Sequence, residues 1–139
     1  MAILRIDEIS DSDNVLRQKA EPVENIASLE IQTLIDDMRE TLSATKSGIG
    51  LAAPQVGRSV QIILVKVGRY EQIMINPKII SRSAREKVAE EGCLSVPDQW
   101  KKVKRSVSVE ISYTNREGFE IFLKLKDLAA RVFLHEYDK

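Results

Sequence analysis

Apolar residues at Ile31, Leu34, Ile35, Met38 and Leu42 recur at the three- and four-residue spacing of one helical stripe, which predicts an amphipathic helix over residues 28–45. Ahead of it, the run Ser10-Asp11-Ser12-Asp13 offers caps for a short helical or turn segment over 14–20, which Pro22 interrupts. Ser47-Gly48-Ile49-Gly50 closes the long helix, because glycine tolerates positive φ and lets the backbone come close to its neighbours. The period then changes. Residues 60–67 are rich in β-branched side chains and read as a strand, with Gly57-Arg58 as the turn before it, and 72–75 reads as a second strand that stops at Asn76-Pro77. Alternation through Val103, Arg105, Val107, Val109, Ile111 and Tyr113 predicts a strand over 103–113. Asn115-Arg116-Glu117-Gly118 turns it into 119–125, a hairpin. Asp127 caps a final helix on which Leu128, Val132, His135 and Lys139 fall about four residues apart along one flank, with Arg131 beside them.

Size and charge narrow the functional classes. A chain of 139 residues, 43% hydrophobic, suits one domain over 1–139 with one core. Its 21 basic and 21 acidic residues cancel, so nothing favours direct binding to nucleic acid or to an anionic membrane. Lys101, Lys102, Lys104 and Arg105 read as a solvated strand edge. The longest apolar run, 62–65, is far short of the roughly 20 residues that a membrane-spanning helix needs. One cysteine makes no internal disulfide, and MAILRIDEIS lacks the basic start and apolar stretch of a secretion signal, so a cytoplasmic protein is expected.

The chemistry gathers at the last residues. In a His-Glu-x-x-His helix, positions four apart stack, so both rings reach one ion while the glutamate turns toward a bound water. His135-Glu136-Tyr137-Asp138-Lys139 fills that pattern except at its fifth position, and His135 is the only histidine. Other ligands must be of other types. Cys93, in Glu90-Glu91-Gly92-Cys93-Leu94-Ser95, offers a thiolate suited to zinc or iron(II), although a lone cysteine is more often a small buried hydrophobe.

Three segments taken together, Gly48-Ile49-Gly50-Leu51-Ala52-Ala53-Pro54-Gln55, Glu91-Gly92-Cys93-Leu94-Ser95 and His135-Glu136-Tyr137-Asp138, resemble peptide deformylase in order and separation. Asn14-Val15-Leu16-Arg17, Ala20-Glu21-Pro22-Val23 and Ile75-Asn76-Pro77 extend the resemblance along almost the whole chain. It implies an α+β fold with antiparallel sheets around a central motif-bearing helix. It also implies removal of the formyl group from the N-terminal formyl-methionine of new polypeptides, met transiently at the ribosome. The implied cofactor is one divalent ion, natively iron(II), with zinc, nickel or cobalt as substitutes. By matching position, Cys93 and His135 are metal ligands, Glu136 is the catalytic acid and base, Gln55 and the Leu94 N–H stabilise the oxyanion, and Gly50 meets the substrate. Ile49, Leu128 and Val132 match walls for the methionine side chain, and ordinary core explains them as well. Arg105 matches a basic position that follows the cysteine segment, and a surface strand arginine explains it equally.

Lys139 stands where the second histidine of the pattern belongs. A lysine ligates only when neutral, and with an ordinary pKa of about 10.4, losing the proton at pH 7 costs about 4 to 5 kcal/mol unless a cation compensates. The amine, the terminal carboxylate or water completes the set, or the chain is a silent binder of formyl-peptides. A general zinc endopeptidase is a third reading, disfavoured by the specific match of the Cys93 segment.

Overall fold

Helix α1 (Leu29–Ser43) starts where Ser28 satisfies one of its free N–H groups, the Oγ accepting from Ile31 N at 3.2 Å. Its predicted stripe is buried throughout, Ile35 and Met38 completely, and each such side chain contributes about 1.5–3 kcal/mol relative to exposure. The structure, a computed structural model, describes residues 20–45, 49–67, 70–93 and 96–137, with backbone alone at 70, 90–93 and 96–101. Residues 14–19 of the segment expected over 14–20, with its caps, and Ser47, Gly48, Leu94 and Lys139 lie outside the described residues.

After α1 come β1 (Gly50–Ala52), a 3-10 turn (Ala53–Val56), β2 (Ile62–Val67), β3 (Tyr70–Arg82), β4 (Glu86–Cys93), β5 (Val96–Ser106), β6 (Ser108–Thr114), β7 (Glu120–Lys126) and helix α2 (Asp127–Tyr137). Five strands form one antiparallel sheet in the order β1-β2-β3-β6-β7, and β4 with β5 forms a separate two-stranded ribbon. The run 62–65 is apolar without alternation because β2 is covered on both faces. Ile62 and Leu64 pack with the α1 stripe, while Ile63 and Val65 pack with Ala130, Val132, Phe133 and Leu134 of α2. Two cores thus lie on either side of one sheet, and the motif helix belongs to the second.

Two expectations need correction. Strand β3 does not stop at Asn76-Pro77 but runs through it, with register shifts between Ile75 and Lys78 and between Ile79 and Ser81. Asn76 takes φ 53, and its side chain accepts the Val23 N–H at 2.7 Å and donates to the Val23 carbonyl at 2.9 Å, so the irregularity anchors the incoming chain. The strand expected over 103–113 is two strands in different sheets, divided at Val107, whose N–H goes to Arg85 O at 3.0 Å. The alternation carried across this switch, so hydrophobic pattern alone did not mark it.

The hairpin that follows matches expectation: β6 and β7 pair with Ser112 opposite Phe122, and Gly118 takes φ 94 in the turn. Arg116 fastens this turn to α1. Its guanidinium donates to Gln32 Oε1 at 2.9 and 3.1 Å and to Asp36 at 2.9 Å, and Gln32 Nε2 donates back to the Arg116 carbonyl. Among the described residues no helix is long and apolar enough to cross a membrane.

Candidate active site

Helix α2 begins at Asp127, whose φ is 53 and whose N–H is donated to Val107 O at 2.8 Å, so the helix leaves β7 at a fixed angle. An acidic residue in the first turn also suits the positive end of the helix dipole. Phe133 is completely buried and stacks on Tyr137 with ring centroids 5.4 Å apart, which ties the last turn to the core. That turn carries His135 and Glu136. Glu136 is 6% exposed, whereas His135 is half-buried with its Nε2 shielded from solvent.

Beside them runs β1. At Gly50 a Cβ would stand 2.7 Å from Val132 Cγ1 and 2.9 Å from Glu136 Oε2, closer than packing permits. Only a residue without a side chain lets β1 pass the carboxylate at this distance, and β1 is held there by pairing with β2, Gly50 opposite Val65. The 3-10 turn after β1 delivers Gln55, 1% exposed, and its Oε1 accepts the Ala52 N–H at 2.9 Å. That bond orients the amide, turning the Nε2 end, a donor, away from Ala52.

The expected residues therefore divide into three groups. Gly50, Gln55, His135 and Glu136 lie on β1, the turn that follows it and the helix packed against it, and the Gly50 contact joins the strand to Glu136. Cys93 closes strand β4 opposite Val96, its thiol outside the described atoms, as are Leu94 and Lys139. Of the apolar walls, Val132 is buried at 5% within the second core, as ordinary core would be, whereas Ile49 and Leu128 are 41% and 50% exposed and are not core. Lys102 and Lys104 are exposed and Arg105 is half-buried, so the solvated edge holds for the two lysines. A cavity of about 230 Å³ touches Glu136 and Tyr137 together with Ala52, Pro54, Ile63 and Pro77. None of the three expected walls lines it.

Among the described residues no three of His, Cys, Asp and Glu converge on a point, the Cys93 thiol and residue 139 being outside them. The parts present still suit a divalent ion. An imidazole nitrogen is held away from solvent, a carboxylate is fixed beside it in sequence, and the absence of a side chain at Gly50 lets β1 come up directly against that carboxylate. A thiolate with an imidazole is the donor chemistry of zinc and iron(II) sites. Arg131 was noted in the sequence only as a neighbour on the flank. In the fold it donates to two strands of the ribbon, and the signal that pointed to it was its spacing of four from His135.

The family model described as polypeptide deformylase matches residues 4–139. The curated peptide deformylase of Pseudothermotoga lettingae is 46% identical over 126 residues, which is 91% of this chain and 72% of that protein. Among solved structures, the peptide deformylase of Thermotoga maritima superposes with a TM-score of 0.92 at 38% identity, covering 99% of this chain and 91% of that one. A probable peptide deformylase from synechococcus phage S-SSM7 gives 0.87 at 42% identity, covering 97% and 92%.

Proposed function

We infer the chemistry of this site from one premise: the chain belongs to the polypeptide deformylase family, and it is a metal-dependent hydrolase that removes the formyl group from N-formylmethionyl peptides. The observation that carries the assignment of roles is the buried Glu136 carboxylate facing Gly50, with Gln55 fixed in the turn after the same strand. We assign the ion to Cys93 and His135, iron(II) as the native ion and zinc, nickel or cobalt as substitutes, with the third contact left to the Lys139 amine or to water. When bound, such an ion lowers the pKa of a water toward neutrality.

Glu136 takes a proton from the attacking water, whose oxygen bonds to the formyl carbon. Negative charge gathers on the formyl oxygen, and Gln55 Nε2 with the Leu94 N–H donates to it as it forms. Glu136 then delivers its proton to the nitrogen as the C–N bond breaks, leaving a free amine and formate. Gly50 presents backbone without a side chain where the peptide passes. Nascent chains in the cytoplasm, met transiently at the ribosome, are the source of such peptides.

Formate release from formyl-Met-Ala-Ser is the direct assay. Glu136→Gln is expected to lower kcat by about 10²–10⁴-fold, the usual weight of a general acid–base group, while ion content stays at the wild-type level. Turnover unchanged in this variant removes Glu136 from its role.

A further inference from the structure

We propose that Arg131 is a positioning residue that docks the β4–β5 ribbon on the motif helix and so sets where Cys93 meets His135. The proposal rests on the reading that these two residues share one ion. Among the described residues the ribbon has no ladder to the five-stranded sheet. At its base it is pinned by Ser83 N–H to Ser108 O at 3.0 Å, Val107 N–H to Arg85 O at 3.0 Å and Ser108 N–H to Ser83 Oγ at 3.1 Å. Cys93 closes β4 at the opposite end. Two strands alone are marginally stable in water and twist strongly, so a base attachment does not fix the far end.

Arg131 supplies an attachment at mid-length. Its Nη1 donates to Val103 O at 3.0 Å and its Nη2 to Lys87 O, so a single planar guanidinium holds both strands. Val103 pairs with Ala89, two residues from Lys87, which places the two carbonyls within one stretch of the ladder. Arg131 and His135 lie four apart on α2, on the same flank, so the ribbon is tied one turn below the imidazole.

The lever from Lys87 to Cys93 is six residues, roughly 20 Å. A rotation of one degree about the clamp moves its tip by about 0.3 Å, and metal–ligand distances tolerate about 0.2 Å. Small errors in docking therefore reach the ligand. A lysine at 131 has no fork and can hold only one strand well.

The test is a competition titration of Zn(II) against a chromogenic chelator on the full chain, paired with amide exchange of 86–93 and 96–106. Arg131→Ala is expected to weaken Zn(II) binding by about 10–100-fold, the usual effect of losing a group that orients a ligand, and to speed exchange in the ribbon but not in α1. Arg131→Lys falls between. Arg116→Ala, which breaks a comparable network far from the ribbon, lowers the melting temperature and leaves Zn(II) affinity unchanged. Wild-type affinity in Arg131→Ala, with the wild-type chain binding normally, overturns the proposal alone. A wild-type chain that takes up no Zn(II) overturns the shared-ion reading and the proposal with it. Should Arg131→Ala fail to fold, Arg131→Lys at wild-type affinity and exchange is the overturning result.

Discussion

Gly50 is the residue whose identity is most tightly dictated by its surroundings. Its requirement is not a backbone angle but a missing methyl, since Val132 Cγ1 and Glu136 Oε2 occupy the space a Cβ would take. Gly50→Ala must push β1 or the carboxylate aside, an overpacking that costs about 1–3 kcal/mol. The larger effect falls on catalysis, because a displacement near 1 Å in a reacting group lowers rate by about 10²-fold. Gly118 makes the contrast: with φ 94 and no atom within 4 Å of its would-be Cβ, Gly118→Ala is strained but touches nothing. It should cost about 1–2 kcal/mol and leave kcat intact. Steady-state kinetics and thermal melts on the two variants separate these outcomes, and a wild-type kcat in Gly50→Ala refutes the link between this contact and Glu136.

At the scale of elements, Asn76 turns an irregularity in β3 into an anchor for Val23. Asn76→Ala loses both hydrogen bonds and puts an ordinary side chain at φ 53, a sum of about 2–4 kcal/mol. Asn76→Gly relieves the backbone angle but not the lost bonds, so it should lie between wild type and alanine. Urea midpoints at constant slope measure both, and equal midpoints for the alanine and glycine variants would falsify the share given to the angle. This strand also marks where sequence reading ended. Helix α1 was legible because its stripe has one period, and β2 because residues 60–67 are rich in β-branched side chains. Strand β4 was visible only around Cys93: Glu86, Lys87 and Val88 are all exposed, so no alternation announces it. His135 and Glu136 declared themselves by adjacency in a known pattern. The approach of Glu136 to Gly50 did not, because it depends on two cores setting the distance between β1 and α2 across the fold.

For the whole molecule, α2 is the member that touches both the five-stranded sheet and the ribbon. Its inner face fills the second core against the five-stranded sheet, Arg131 holds the ribbon, and His135 and Glu136 sit at its end. An ion shared by Cys93 and His135 would connect ribbon to helix a second time, so it binds the folded chain and not the unfolded one. Linkage then fixes the size of the effect: Zn(II) at a hundredfold excess over its Kd stabilises by about 2.7 kcal/mol. For a chain of 139 residues this raises the melting temperature by roughly 10 °C, and a strong chelator reverses it. Arg116→Ala should lower the curves with and without Zn(II) equally, because its network joins α1 to the β6–β7 turn and touches neither ribbon nor site. If Zn(II) binds at one equivalent yet leaves the melting temperature where it was, the ion sits on a surface that survives unfolding and does not bridge the two parts of the fold.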